Sequence, residues 1–435
     1  MSNLRTDYIS KLCTAERAVR EVKSGDTVYI GSTSSIAYAL CRALEARSNE
    51  LHDVTVTCSQ FRRPSKMFTG TDGRFSFKSY FMGTEERNGL RMGNGDFTSV
   101  HLSQIEIWCR ETARPDVAFI EVSPCDEDGY MSFGATGVAL HQCICSVAKT
   151  VILQVNRSVP YVYGEKNLIH CSQADYIVEA DDRLETVEEI AADETVKTMS
   201  RNIVELIPDG ATIQLGLGGL ASAVGYGLQS KNDLGVHTEM MGDVIMHLMK
   251  NGNVTNHAKS YMPGVSVTGF AYGTNELYSF LDRNRSIYFM PFSKVNDPAV
   301  IAKNDRMVSI NTAMSIDLFG QVAADSMGFK QHSGTGGQLD FVRGAQNSKD
   351  GKSFFAITST MQHRTEGRKS RIVLSFPPGT AITTPRSDVQ YVATEYGCVN
   401  LKPLSMKDRV RAMISLAHPD FRDELTAQAK EHGII

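Results

Sequence analysis

The stretch PDGATIQLGLGGLASAVGYGL, residues 208–228, combines several local signals in one short run. Gly210 marks a turn, the apolar run Thr212–Leu215 is typical of a strand, and the small residues from Gly219 onward are typical of a helix. More glycines lie between the strand and the helix, beginning at Gly216. The stretch therefore predicts a turn, a strand, a glycine loop and a helix, which is how an α/β unit begins.

An earlier stretch, KSGDTVYIGSTSSIAYALCRAL at residues 23–44, repeats the same order of signals. Its turn glycine is Gly25, and the run TVYI takes the place of TIQL. Each stretch also follows an amphipathic helical pattern, ERAVREV before the first and TVKTMSRNIVEL before the second. An αβα unit that occurs twice predicts two similar α/β domains.

Short apolar strands alternate with helical or loop segments through both halves of the chain. Among them are VTVTCS, VAFIEV, TVILQV, IYFMPF, MVSINT, SFFAIT and RIVLSF. This alternation predicts open α/β domains with largely parallel sheets. The acidic segment 179–194 is typical of a solvated connector. We therefore place the domain boundary near residue 190, with a first domain at 1–190 and a second domain at 191–435.

The composition is that of an ordinary globular protein. Of the 435 residues, 42% are hydrophobic and 22% are charged, and the formal net charge is −4. This charge is too small to indicate a nucleic-acid partner. The first residues do not form a secretory signal, and no apolar run is long enough to span a bilayer. We expect a cytoplasmic protein that does not bind membranes.

Cysteine usage agrees with this compartment. The chain has nine cysteines, and Cys143 and Cys145 form the only close pair. Without a second pair, or a histidine at ligand spacing, a C-x-C pair does not indicate a metal site. We expect buried thiols in a reducing compartment, with no metal and no disulfide.

Two glycine-rich loops are candidate anion sites. The first, QLGLGGLASAV at 214–224, places backbone amides at a predicted helix start, which suits phosphate or another anion. It does not match the dinucleotide fingerprint G-x-G-x-x-G, and close backbone packing explains it equally well. The second, HSGTGGQLDFVRGA at 332–345, precedes the run LDFV, which we predict as a strand. Its amides either turn the chain or face a developing oxyanion.

The stretch LGVHTEMMGD, residues 234–243, places a carboxylate, Glu239, where a half-buried strand ends and a helix begins. Such acids are usually solvated or cap the next helix. Here apolar neighbours would desolvate the carboxylate, while the following helix N-terminus would keep it ionised. We assign His237 to the strand and Asp243 to the helix cap. Because no Ser elbow or activated cysteine is visible, the residues alone indicate an α/β enzyme with an acidic nucleophile.

Taken together, these motifs resemble a known family. QLGLGG, LGVHTEM, GTGGQLDFVRGA and VATEYGCVNLKPLSMKDRVRAMISLAHPDFR are similar to motifs of the acetyl-CoA hydrolase/transferase group of class I coenzyme A transferases. IEVSPCDEDGYMSFG and IHCSQADYIVEAD extend the resemblance through the first half. Among the members of this family, the chain resembles the butyryl-CoA:acetate and 4-hydroxybutyrate CoA-transferases. The resemblance implies two similar open α/β domains, an active site in the cleft between them, and a homo-oligomer.

The resemblance also implies the chemistry. Glu239 would attack an acyl-CoA to give an acyl-glutamyl anhydride, and the released CoA would then form a γ-glutamyl-CoA thioester. A second carboxylate would reverse both steps, which is ping-pong CoA transfer. Coenzyme A is then a substrate, and no permanently bound cofactor, metal or ATP is needed. The acyl partners would be short-chain acids such as acetate, propionate, butyrate or 4-hydroxybutyrate.

By resemblance, eight residues bind CoA, and they are Gly216, Leu217, Gly218, Gly219, Leu220, Asn311, Gly334 and Gly337. The second loop would give either CoA contacts or oxyanion amides. A turn-forming role explains Asn311 equally well. The chain departs from its relatives at Ala221-Ser222 and at YVYGEKN, residues 161–167. These departures leave the acyl substrate open.

Three alternatives remain from the sequence. A thioesterase on the same scaffold would use water to resolve the glutamyl intermediate, so its CoA release would not depend on a carboxylate. A nucleotide-binding oxidoreductase would rest on GLGGLA, yet the fingerprint fails and no acidic residue follows at the expected distance. A CoA-sensing protein would bind CoA and tolerate loss of Glu239.

Overall fold

The computed structural model describes residues 2–70, 72–188, 192–216 and 218–435, with side chains from residue 6 onward. The chain forms two compact units, Met1–Glu188 with Val267–Val295, and Glu189–Ser266 with Asn296–Ile435. The boundary that we predict near residue 190 lies at 189–191, outside the described residues. The segment 267–295, which the sequence places in the second domain, groups with the first unit instead.

The first unit is built on one open sheet. Every pairing along its main path is parallel, and a short strand, Ser35–Ile36, pairs antiparallel with the central strand. In spatial order the strands are Tyr176–Glu179, Thr150–Val155, Val117–Val122, Thr27–Ser32, Val54–Ser59, Phe75–Ser79 and Gly95–Phe97. Other strands of the unit or at its border are Tyr130–Ser132, Leu168–His170, Ser266–Ala271 and Ile287–Phe289.

The second unit has a similar sheet. Its pairings are parallel except the last, which is antiparallel. In spatial order its strands are Gly235–Met241, Thr212–Leu215, Met307–Thr312, Lys352–Ala356, Tyr391–Thr394 and Gly397–Asn400. The smaller strands are Ser315–Asp317, Val322–Ala323, Ser326–Met327, Lys330–Gln331, Thr360–His363, Gly367–Ser370 and Ile372–Val373. The predicted open α/β units with largely parallel sheets are confirmed.

Helices connect the strands in both units. In the first unit the helical segments are Ser2–Lys11, Ala15–Ala18, Val19–Glu21, Tyr38–Ala46, Lys66–Thr69, Thr84–Arg91, Leu102–Gln104, Ile105–Trp108, Cys109–Ala113, Gly134–Gly137, His141–Val147, Cys171–Gln173, Asn275–Leu281 and Phe292–Val295. In the second unit they are Glu194–Val204, Gly219–Gly227, Leu228–Ser230, Asp243–Lys250, Pro298–Ile301, Gln338–Asn347, Met406–Leu416 and Pro419–Glu431.

The sequence repeat is also a repeat of structure. Gly25 and Gly210 both have left-handed backbones, with φ of 85° and 68°, which is the conformation a turn glycine supplies. In each unit the strand that follows lies between the next strand in sequence and a strand from later in the unit. The two sheets therefore share the arrangement of strands around this repeated strand, as the repeat predicts.

The glycine loops that follow these strands differ. A Cβ at Gly31 would lie 2.2 Å from the carbonyl oxygen of Ser35, so close packing requires this glycine. At Gly218 and Gly219 a Cβ would meet no atom within 4 Å. Close backbone packing, one of our two explanations, therefore fails for these two glycines. The loop of the second unit borders open space.

The prediction of a strand at LDFV is wrong, because these residues belong to the helix Gln338–Asn347. Leu339, Val342 and Ala345 are buried at helical spacing. A short apolar run fits either a strand or a buried helix. Here every third residue is buried, which is the pattern of a helix. The strand Gly235–Met241 also differs from prediction, since it is buried along its length except at Glu239.

A buried lysine fixes the beginning of the strand that carries Glu239. The amine of Lys259 donates to the carbonyl oxygens of Val236, at 2.9 Å, and Val265, at 2.7 Å. Asn256 Oδ1 accepts from the backbone N–H of Val236 at 2.9 Å. Burial lowers the pKa of Lys259 to about 7. A neutral amine still has two N–H donors, which is enough for both carbonyls.

This lysine makes stability depend on pH. The unfolded chain keeps Lys259 protonated up to about pH 10.4, so between about pH 7 and 10 it binds more protons there than the folded chain. Stability from this group therefore rises with pH across that window. Relative to Lys259→Met, the wild type should gain about 2 kcal/mol in free energy of unfolding from pH 7 to 9. Urea unfolding at both pH values measures the difference in free energy of unfolding between the two proteins. If this difference does not change with pH, Lys259 is charged in the folded protein.

Candidate active site

Three of the predicted site residues lie side by side across the sheet of the second unit. Continuing the residue pairing of the ladders places Gly216 between Glu239 on one neighbouring strand and Asn311 on the other. The backbone N–H of Gly216 donates to the carbonyl oxygen of Ile310 at 2.9 Å, which extends one ladder to this level. We call Glu239, Gly216 and Asn311 the site row. It lies at the carboxyl ends of parallel strands, where open α/β sheets bind ligands.

Two donors hold the carboxylate of Glu239. Asn296 Nδ2 donates to Glu239 Oε2 at 2.8 Å, and the backbone N–H of Gly337 also bonds this carboxylate. Gly337 is the residue immediately before the helix Gln338–Asn347. Glu239 is partly exposed, whereas the rest of its strand is buried. The carboxylate is therefore held in place on a residue that is only partly exposed.

The pKa of Glu239 differs from our prediction. Burial, and to a smaller extent the nearby charge of Asp340, raise the pKa, and the net value is about 7. The hydrogen bonds from Asn296 and Gly337 act in the opposite direction. The expectation that the following helix keeps Glu239 ionised is therefore wrong, because the helix whose start contacts the carboxylate is Gln338–Asn347, and it brings Asp340 with it. Acid and carboxylate coexist at neutral pH.

Of the two residues that we assigned near Glu239, one assignment is confirmed and the other is wrong. His237 is a buried strand side chain, as predicted, and its ring lies beside Asn304 Nδ2 at 3.2 Å from Nδ1. Asp243 is the first residue of the helix Asp243–Lys250, and its cap is Gly242, so the cap assignment is wrong. With Gly242 in the cap position, no carboxylate capping oxygen is supplied there.

Gly337 has no room for a side chain. A Cβ there would lie 1.9 Å from Asn296 Nδ2 and 2.0 Å from Glu239 Oε2. The second glycine loop thus contacts Glu239 through Gly337, which is compatible with an oxyanion role, one of the two roles that we predict for this loop. Gly334 is buried three residues earlier in the same loop, and its carbonyl oxygen accepts from Ser333 Oγ at 3.2 Å.

The first glycine loop begins a helix without a capping side chain. Gly218 is exposed, has a φ of 101°, and precedes the helix Gly219–Gly227, to which no side chain of the described part of the chain gives a cap. Leu220 is partly exposed within the first turn of that helix. Leu217 lies outside the described residues. Free amides at such a helix start suit an anionic ligand.

Asn311 is a buried strand residue rather than a turn residue. It lies in Met307–Thr312, and among the described residues its Nδ2 has no hydrogen-bond partner. An unpaired buried donor costs about 1–3 kcal/mol, so a ligand or ordered water is expected to bind it. Gln338 Nε2 donates to the carbonyl oxygen of Thr312 at 2.9 Å. This bond joins the second glycine loop to the strand end beside Asn311.

Two residues of the site are absent from our sequence predictions. Asn296 donates to Glu239 although 57 positions separate them, and Asp340 affects the pKa of Glu239 from the helix that we predict as a strand. A helical assignment of GGQLDFVRGA would have placed Asp340 in a first turn. No local pattern marks Asn296.

Metal-ligand clusters, disulfides and membrane-spanning helices are absent from the described residues. Nowhere in residues 2–70, 72–188, 192–216 or 218–435 do three or more His, Cys, Asp or Glu side chains come together as metal ligands. All nine cysteines are described, and each is a free thiol. No helix in the described ranges is long and apolar enough to cross a membrane.

Comparison with known proteins decides the family. The family model for the acetyl-CoA hydrolase/transferase N-terminal domain matches residues 1–188, and the model for its C-terminal domain matches 273–429. The chain is 38% identical to a 4-hydroxybutyrate coenzyme A transferase from Clostridium kluyveri, over 98% of both chains. This chain belongs to the acetyl-CoA hydrolase/transferase family.

The chain is also similar to a second relative and to a solved structure. The chain is 36% identical to a butyryl-CoA:acetate CoA-transferase from Anaerostipes caccae, over 99% of this chain and 98% of the relative. Among solved structures, RipA from Yersinia pestis matches with a TM-score of 0.94 and 37% identity, over 99% of this chain and all of that one. The resemblance seen in the sequence is confirmed, and the protein is an enzyme of the CoA-transferase type.

Gly337→Ala should disrupt the hydrogen bonds to the Glu239 carboxylate without unfolding the protein. The added Cβ collides with Asn296 and Glu239, whereas the backbone φ of −100° accepts alanine without strain. We expect kcat to fall by about 100-fold or more, since the carboxylate and its donors can no longer meet. Steady-state kinetics and a thermal melt check both parts. A variant with wild-type kcat would show that this contact is not needed.

The rate should depend on pH through Glu239. If Glu239 is the nucleophile, only its carboxylate form reacts. Because its pKa is about 7, kcat/KM should then rise with pH, with a midpoint near 7. Asn296→Ala removes a bond that lowers the pKa, so its midpoint should move to higher pH. Asp340→Asn removes a charge that raises the pKa, so its midpoint should move to lower pH. Identical profiles for all three proteins would contradict the assignment.

Proposed function

We propose that this enzyme transfers CoA between a short-chain acyl-CoA and a free carboxylate, with Glu239 as the nucleophile. The observation that supports this most is the pairing of Glu239 with Asn296 and Gly337 at the carboxyl edge of a parallel sheet. Such a pair of donors suits acyl transfer, in which negative charge develops on a carbonyl oxygen. Coenzyme A is a substrate in this proposal, and no cofactor is bound permanently.

In the first step Glu239 attacks the thioester carbonyl of the acyl-CoA. Asn296 holds Oε2, and we assign the new C–O bond to the other oxygen, Oε1. The C–S bond breaks, and CoA leaves as a thiolate. The product is an acyl-glutamyl anhydride, and no proton needs to move. This accounts for a site in which a carboxylate and amide donors meet without a Ser-His-Asp set.

In the second step the CoA thiolate attacks the Glu239 carbonyl carbon. Negative charge then develops on Oε2, the oxygen that Asn296 already binds, and Gly337 adds its backbone N–H. These two donors form an oxyanion hole for the glutamyl carbon. The bond to the first acyl group breaks, its carboxylate leaves, and a γ-glutamyl-CoA thioester remains. A second carboxylate reverses both steps and leaves as the new acyl-CoA.

We further propose that CoA lies along the site row. The unpartnered Nδ2 of Asn311 and the amides from Gly216 to Leu220, including Leu217, are suitable donors for its amide and phosphate oxygens. Gly334 would shape the loop on the other side. The names of the two curated relatives, 4-hydroxybutyrate and butyryl-CoA:acetate CoA-transferase, support short-chain acids as acyl partners. A cytoplasmic homo-oligomer remains our expectation.

The covalent intermediate tests this function. Incubation with butyryl-CoA and no acceptor should add CoA to the protein, and peptide mapping should place a hydroxylamine-sensitive adduct on Glu239. Glu239→Gln should form no adduct and should lose CoA exchange. Butyryl-CoA turnover that proceeds without any adduct, or an adduct on another residue, would contradict the mechanism.

A further inference from the structure

A second row of polar side chains lies directly behind the site row. Two residues earlier along each strand, the same face of the sheet carries His237, Gln214 and Ser309, which we call the inner row. Gln214 and Ser309 are paired in the ladder. All three side chains are buried, with 3% exposure or less. Polar groups so deep in a sheet need hydrogen-bond partners.

Two of these side chains have an atom without a partner. Among the described residues, neither Gln214 Oε1 nor Ser309 Oγ makes a hydrogen bond, and Thr212 Oγ1, one step further along the same face, also makes none. Each such atom costs about 1–3 kcal/mol when left unpaired. Ordered water is the usual partner of buried polar groups in this position.

The glycine of the site row places no side chain in front of Gln214. A Cβ on Gly216 would meet only Ile310 O, at 3.3 Å, and Asn311 Cα, at 3.8 Å, within a 4 Å radius. The middle of the site row therefore carries no side chain, and beside it lies Asn311, whose Nδ2 has no partner among the described residues. A run of polar atoms without partners thus leads from Thr212 to the level of Glu239.

We propose that Thr212, Gln214 and Ser309 bind a short chain of water molecules and that this water is an alternative acceptor for the glutamyl intermediate. The inference rests on the proposed function. A water oxygen attacks the carbonyl carbon of the γ-glutamyl-CoA thioester, the C–S bond breaks, and CoA leaves as a thiolate that takes one water proton. The second water proton passes to the solvent as the carboxylate forms. The Glu239 carboxylate is regenerated with one oxygen from water. These three residues thereby determine what fraction of the acyl-CoA is hydrolysed.

Position explains why this water matters. CoA bound along the site row covers the exposed side of Glu239 and excludes bulk water from it. Water held by the inner row lies behind the row, on the side that CoA does not cover. Along a strand, two residues span roughly 7 Å, so one or two water molecules bridge from Gln214 to the level of Glu239. Hydrolysis then depends on residues that the transfer reaction does not use.

Two isosteric variants test the inner row, and the neighbouring strand offers a matched control. Ser309→Ala and Gln214→Met each remove a proposed water ligand. Ser353 pairs with Ser309 in the ladder and is equally buried, but its Oγ accepts from Gln346 Nε2 at 2.9 Å. Ser353→Ala therefore removes a buried serine that already has a protein partner.

The γ-glutamyl-CoA enzyme is formed in each protein and kept in ¹⁸O-labelled water without a carboxylate. CoA release and ¹⁸O in the Glu239 peptide are then measured. Loss of one hydrogen bond to the water should slow both by about fivefold or more in Ser309→Ala and Gln214→Met. Transfer to acetate should change by less than about twofold, because a water-mediated contact is absent from that path. Ser353→Ala should match the wild type in both reactions.

A crystal structure of the wild type gives a second readout that needs no chemistry. It should show water within hydrogen-bond distance of Gln214 Oε1 and Ser309 Oγ, and this readout remains if Gln214→Met does not fold. An inner row without water there overturns the proposal. Normal adduct formation with unchanged hydrolysis in Ser309→Ala overturns the hydrolytic role alone. Absence of any adduct in the wild type overturns the hydrolytic role together with the proposed function.

Discussion

The contact between the Glu239 carboxylate and its two donors is the constraint on which the site depends. Asn296 Nδ2 and the backbone N–H of Gly337 both reach this carboxylate, and the space is so small that Gly337 cannot carry a Cβ. Burial favours the neutral acid, whereas the two donors favour the carboxylate. The balance leaves a pKa of about 7, so the carboxylate form of Glu239 is present at neutral pH without being strongly solvated.

The parallel sheet makes this contact possible. Its carboxyl edge gathers the end of one strand, the glycine loop after a second and the asparagine of a third into one row. Lys259 and Asn256 hold the beginning of the strand. The position of Glu239 along the strand, near its other end, is therefore fixed relative to the neighbouring strands. Gly216 places no side chain at the centre of the row, between the carboxylate and Asn311.

Local patterns predicted much of this architecture. Turn, strand and glycine signals at Gly25 and Gly210 gave the repeated α/β unit, and the short apolar runs gave the parallel strands. Glu239 could be singled out because an acid among apolar strand residues is unusual. Asn296 could not, since its role comes only from a contact 57 positions away along the chain. The helix at LDFV was missed because four apolar residues in a row fit either structure.

The most direct measurement is a crystal structure of the enzyme after reaction with butyryl-CoA in the absence of an acceptor. Our account predicts continuous density from the Glu239 side chain to the sulfur of CoA. It also predicts that the new carbonyl oxygen lies within hydrogen-bond distance of Asn296 Nδ2 and the N–H of Gly337. A free Glu239 carboxylate with CoA attached elsewhere, or a glutamyl carbonyl turned away from both donors, would contradict it.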